Sequence, residues 1–355
     1  MELFVPVSPL GGQLAQVPRL ARQAEQAGFG VSVIESTADP MQQLTLAAGS
    51  TTAVTLMSNV VIAFARSPMT LALQATAIQE YSHGRLMLGL GSQIKPHIER
   101  RFSMPWSAPA ARMEEYIQGL RAIWESWATG KPLNFRGRFY DLTLMIPEFT
   151  PAIEQPPPRV LVAAVGQLMT AVAGRVADGV IIHPFATPRY LREVTLPALR
   201  NAAEEASRSG DGFDVVGAPF VISGQTPEDI ARSRELVRAR VAFYGSTPAY
   251  QPVLALHGWP DLGAELHALS RTTDPQRWER MTELVDDTVL CEFAVEGTAE
   301  AVARQVLDRY DGIFTHLSVN SSGLPDPAAL YTVMAAVASA RSSRLSAGTR
   351  RVEWR

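Results

Sequence analysis

Several side chains able to do chemistry stand directly after short apolar runs of this 355-residue chain. Glu35 and Asp39 follow residues 31–34, Arg66 follows 54–63, and Gln93, Lys95 and His97 follow 86–90. Gly166, Gln167 and Leu168 follow 160–165, and His183 follows 179–182. Glu35, Gln93 and His97 are the candidates for catalysis. A carboxylate or an imidazole there can move a proton as a general acid or base, and of Gln93 and His97 only the imidazole can donate as an acid. Arg66, Lys95, Arg100 and Arg101 offer charge to an anionic ligand. Gly166-Gln167-Leu168 places a residue without a Cβ before the first amides of a predicted helix, which suits a phosphate; the competing reading is an ordinary turn. Asp39 stands before Pro40 and reads also as a helix N-cap. His183, beside Pro184, either faces a ligand or packs at the rim.

The elements that position these residues alternate strand and helix. Eight short apolar runs lie near residues 3, 32, 57, 88, 162, 181, 218 and 318, each followed by a helical pattern. Strands buried on both faces of a parallel sheet have this texture. Eight such units over about 340 residues predict a (β/α)8 barrel; an open doubly wound sheet needs a topological switch point and usually fewer strands. One domain over 1–340 is expected, with insertions at about 130–158 and 245–290 and a basic tail at 341–355. In a barrel the chemistry sits at the C-terminal strand ends, which is where the candidates stand.

Composition narrows the function. Lys and Arg total 32 against 35 Asp and Glu, a formal charge of −3, and a dedicated nucleic-acid binder shows a basic excess instead. Cys291 is the one cysteine, so there is no internal disulfide framework or Cys-rich zinc site, and a reducing cytoplasmic setting is expected. The most apolar stretch, 160–182, is interrupted by Gln167, Arg175 and Asp178, so no membrane span is expected. The chain lacks a Gly-x-Ser-x-Gly elbow, a Walker loop and a His-Glu-x-x-His pair, and its six histidines are scattered. A rim with neither nucleophile nor metal cluster leaves the reaction to a bound organic cofactor.

Residues 82–92, Ser-His-Gly-Arg-Leu-Met-Leu-Gly-Leu-Gly-Ser, resemble the S-x-G-R-L-x-L-G-x-G segment of the bacterial luciferase-like superfamily. Arg66-Ser67-Pro68, residues 162–166, residues 173–181 and residues 296–303 resemble further segments of that family, in the same order. Ser67 replaces the usual His, and Ala299 the usual Pro. The resemblance implies a barrel that binds coenzyme F420 or FMN. Residues 91–102, Gly-Ser-Gln-Ile-Lys-Pro-His-Ile-Glu-Arg-Arg-Phe, resemble the F420-dependent subgroup, which implies hydride transfer with a small organic substrate. The alternatives are an FMN monooxygenase supplied by a partner reductase, or a non-catalytic flavin-binding barrel. The family also implies a homodimer, with helices near 70–78 and 113–127 as candidate contacts. Asn59-Val60 matches the position where F420 enzymes carry a non-prolyl cis peptide behind the cofactor ring; the competing reading is a plain buried strand. The cofactor phosphate is implied near Gly166.

Overall fold

The computed structural model describes residues 1–7, 10–210, 212–324 and 327–346. The chain forms β1 (Glu2–Pro6), β2 (Gly30–Val33), β3 (Leu56–Ser58), β4 (Val61–Ile62) and β5 (Leu86–Gly91). A small hairpin, β6 (Phe135–Arg136) and β7 (Asp141–Leu142), leads to β8 (Arg159–Ala164), β9 (Gly179–Ile182) and β10 (Asp214–Gly217). β11 (Phe220–Ser223), β12 (Ala294–Gly297) and β13 (His316–Leu317) complete the set. The parallel order β3-β2-β1-β13-β10-β9-β8-β5-β4 closes on itself through pairing of β3 with β5. β3 and β4 are halves of one strand interrupted at Asn59-Val60, so the described residues form the expected eight-stranded (β/α)8 barrel.

The strands are mostly apolar because both faces are covered. Phe4, Met57, Met87, Leu161, Ile181 and Val216 fill the inside, with Val60 and Ala163 packed against them. The outer faces pack on the helices. Where β3 meets β5 the two backbones touch: the Ser58 hydroxyl donates to the Gly89 carbonyl at 2.9 Å and accepts from the Gly89 amide at 2.8 Å. A Cβ on Gly89 would come 2.1 Å from the Ser58 carbonyl oxygen.

Two expectations are corrected. Residues 214–223 are two strands, not one. β10 stays in the barrel, while β11 leaves it after Pro219 and pairs in parallel with β12, which the sequence pattern had not indicated. Pro219 cannot donate to a ladder, so the sheet changes partner there. The final helix, Pro327–Ser346, runs beyond residue 340, and residues 347–355 of the basic tail lie outside the described residues.

The insertions have different fates. Residues 130–158 run down the flank of the helices Pro68–Tyr81 and Pro109–Thr129. The Glu115 carboxylate accepts the amides of Arg138, Phe139 and Tyr140, and Glu80 accepts those of Glu154 and Gln155. The stripe Met113, Tyr116, Leu120, Trp124 and Trp127 is buried within the chain and is core. The 245–290 insertion forms helices that build a second apolar cluster with β11 and β12 around Phe185, Phe220 and Phe293. No helix among the described residues is long and apolar enough to cross a membrane.

Gly89→Ala is expected to destabilise the barrel by about 1–3 kcal/mol, the usual cost of overpacking. A lower urea midpoint with an unchanged slope would show it; an unchanged midpoint would mean the β3–β5 contact is looser than described.

Candidate active site

Two hollows open at the C-terminal end of the strands. The wider one, of about 370 Å³, is lined by Glu35, Ser36, Thr37, Asp39, Arg66, Arg101 and neighbours. Its wall is an ion-pair network. Arg66 donates from Nη1 to Glu35 Oε2 at 2.8 Å and from Nη2 to Asp39 Oδ2 at 2.6 Å. The Ile62 amide donates to the same Glu35 oxygen at 2.7 Å. The Arg66 and Glu35 side chains are only 11% and 8% exposed. Burial works against the Arg66 charge, but the two carboxylates outweigh it and hold its pKa above the usual value. Asp39 serves twice: Oδ1 accepts from the Met41 amide at 2.8 Å and caps the helix Pro40–Ala48, as the N-cap reading required. Arg101 donates to the Ser36 carbonyl at 3.0 Å and lies 4.9 Å over the Phe102 ring. The structure therefore joins Glu35 to Arg66, two residues read separately from sequence.

The second hollow is a narrow cleft of about 30 Å³ at the ends of β8 and β9. Gly166, Gln167, Thr170, His183, Tyr190 and Tyr250 are among its lining residues. Gly166 adopts φ 77° and no side chain caps the helix Gln167–Val176 that follows, so its first-turn amides, those of Gln167 and Leu168 included, have no intrahelical acceptor. Nothing stands within 4 Å of a Cβ built on Gly166; the demand for glycine comes from the left-handed backbone. His183 is set edge-on to Tyr244, with ring centres 4.6 Å apart, and lies 4.7 Å from Tyr250. Burial pushes its pKa down to about 4. Tyr250 and Tyr244 were missed from the sequence. They stand about 60 residues beyond His183 at an insertion boundary, and no spacing links them to it.

The remaining candidates line neither hollow. Gln93 holds a left-handed φ of 58°, and its side-chain oxygen accepts from the Ile94 amide at 3.0 Å. Lys95 forms an exposed pair with Glu99 at 3.8 Å, and His97 is exposed on the short helix Lys95–Arg100. The Asn59-Val60 peptide is cis. Val60 packs on the barrel interior and against Gly91, whose Cβ would approach its Cγ2 to 2.6 Å.

A model of the luciferase-like monooxygenase family matches residues 4–317. The chain belongs to that family. It is 45% identical over 303 residues to an uncharacterised protein of Mycobacterium tuberculosis, covering 85% of this chain and 88% of that one. It is 26% identical to a phthiodiolone/phenolphthiodiolone dimycocerosates ketoreductase of Mycobacterium kansasii, covering 92% and 90% of the two chains. Coenzyme F420-dependent tetrahydromethanopterin reductase from Methanopyrus kandleri superposes with a TM-score of 0.75 at 19% identity, covering 96% of this chain and 98% of that one. An FMN-bound type II Baeyer–Villiger monooxygenase of Pseudomonas putida gives 0.64 at 16%, covering 95% and 96%. At these identities the two structures show the shared fold. The family is one of oxidoreductases and monooxygenases.

Removing one partner of the buried pair should cost more than removing both. Glu35→Ala is expected to destabilise by about 3–5 kcal/mol, and Glu35→Leu with Arg66→Met to recover much of that; urea unfolding of both variants checks it. The His183 pKa sets a pH prediction. As pH falls from 6.5 toward 4, the unfolded chain takes up a proton that folded His183 refuses, so stability falls. Half-buried His257 and His316 act in the same direction. His183→Gln should therefore lose less stability over that window than the unsubstituted protein, measured as urea midpoints at pH 7 and pH 5.

Proposed function

We propose that this protein is an oxidoreductase that transfers a hydride between coenzyme F420 and a small organic substrate. The carrying observation is the cleft at Gly166: an uncapped helix start with a left-handed glycine, opening at the mouth of a closed barrel. Amides at such a helix start, with no Cβ beside them, fit a phosphate, and the cofactor phosphate is assigned to Gly166, Gln167 and Leu168. F420-dependent chemistry in a protein of the same fold supports the choice, and so does the ketone reduction that the Mycobacterium kansasii relative's name describes.

When bound, the cofactor supplies the hydride. The protein's residues do the rest. Val60 and the packed interior form a floor at the barrel mouth, Tyr250 and Val253 of the insertion wall the cleft, and the limited opening restricts water. Glu35 and Arg66 neutralise each other and serve as a rigid wall of the wider hollow. Lys95, Arg100 and Arg101 offer positive charge at the rim to the polyanionic tail of the cofactor. His97, exposed on the short helix after β5, is assigned as the proton donor, with Gln93 as a hydrogen-bonding neighbour.

Titration of the purified protein with F420 and with FMN, followed by fluorescence, tests this reading. Micromolar F420 binding is expected, weakened about tenfold or more by Gly166→Val, which forces a Cβ and branched methyls onto a left-handed backbone. Tight FMN binding without F420 binding would assign an FMN monooxygenase fed by a partner reductase. Binding of neither would assign a non-catalytic barrel.

A further inference from the structure

The narrow cleft has an unusual electrostatic make-up for a place assigned to a phosphate. None of the residues lining it is Lys, Arg, Asp or Glu. Its polar groups are the first-turn amides, the Gln167 side-chain amide, the Thr170 and Thr195 hydroxyls, the Tyr190 and Tyr250 phenols and His183. The tautomer of that histidine follows from geometry alone. The Phe185 amide donates to His183 Nδ1 at 3.1 Å, and a backbone N–H can only donate, so Nδ1 carries no proton. In a neutral ring the proton is then on Nε2. No residue among those described hydrogen-bonds to Nε2. The aromatic walls of Tyr244 and Tyr250 and burial keep the ring uncharged. The titratable side chains facing it are those two phenols. Burial raises Tyr250 above the ordinary phenol range, which leaves it protonated at neutral pH.

We infer that His183 is a positioning residue that donates a hydrogen bond from Nε2–H, as a neutral imidazole, to a phosphate oxygen held at the start of the helix Gln167–Val176. This rests on the phosphate assignment made above and adds the donor that completes it. A site built from amides, phenols and a neutral imidazole binds an anion through dipoles rather than a counter-charge. Retention of the ligand then stays independent of histidine protonation down to about pH 5. A phosphate-bearing cofactor gains from His183; its phosphate-free counterpart does not.

Two measurements test it. Nitrogen-15 NMR of the histidine rings in the ligand-free protein, with the His183 signal assigned by its loss in His183→Gln, is expected to show the neutral Nε2–H form from pH 8 to pH 5. A charged ring or an Nδ1–H tautomer in that range would overturn the inference whatever binds. Affinities are then measured for FMN and riboflavin, and for F420 and its phosphate-free deazaflavin. His183→Leu is expected to weaken the phosphate-bearing member of the bound pair by about tenfold to a hundredfold, as loss of a hydrogen bond to a charged oxygen does, and to leave the phosphate-free member within about twofold. His183→Gln carries an amide N–H close to the Nε2 position and is expected to restore most of the affinity. Equal weakening of both members, or no weakening of either, would overturn the inference. Failure of the unsubstituted protein to bind either cofactor would instead overturn the proposed function, and the NMR result would still decide the tautomer.

Discussion

The bridge from the Ser58 hydroxyl to the Gly89 backbone is the constraint on which the rest depends. It lies in the seam that closes the barrel, between the pairing of β3 with β5 on one side and of β4 with β5 on the other. With two hydrogen bonds between hydroxyl and glycine backbone and no room for a Cβ, the seam is as tight as main chains allow. Directly above it the strand breaks at Asn59-Val60 and resumes as β4, so the seam also places Val60 at the mouth. Gly91 repeats the arrangement one step up the strand, against Val60. The glycines of this segment are thus spacing elements, and they determine how closely the site's floor approaches β5.

Above the floor the rim separates charge from neutrality. On the β2–β4 side, buried Glu35 and Arg66 pair with each other, and the half-buried Asp39 adds a second carboxylate to Arg66. Buried ion pairs of this kind add little net stability but are costly to break singly, so they hold one geometry. On the β8–β9 side the lining is neutral, and dipoles replace charges. The mouth thus has a rigid ion-paired wall at one end and hydrogen-bonding groups without charge at the other.

The helical insertion completes the neutral side. β11 leaves the barrel at Pro219, pairs with β12 and supports the helices that bring Tyr244 and Tyr250 onto His183. The other insertion, pinned by Glu80 and Glu115 to the flank, lines neither hollow. Variation in the first segment therefore changes the site, and variation in the second changes the outer surface.

The alternation of apolar runs with helical patterns determined the eight barrel strands and the helices between them, because strands covered on both faces must be apolar throughout. Capping chemistry was equally local: Asp39-Pro40, Ser67-Pro68 and Thr226-Pro227 each open a helix where their types predict. The ordered glycine-bearing segments carried the family. Tertiary structure alone decided which rim residues meet. Glu35 and Arg66 lie 31 positions apart, and their pairing depends on neighbouring strands of the barrel. His183 and Tyr250 are joined by an insertion folding back, and the strand pair β11–β12 by a proline that forces a change of partner. Short-range pattern reports what a residue does to its own helix or strand. Contacts between distant elements depend on closure, which no local spacing encodes.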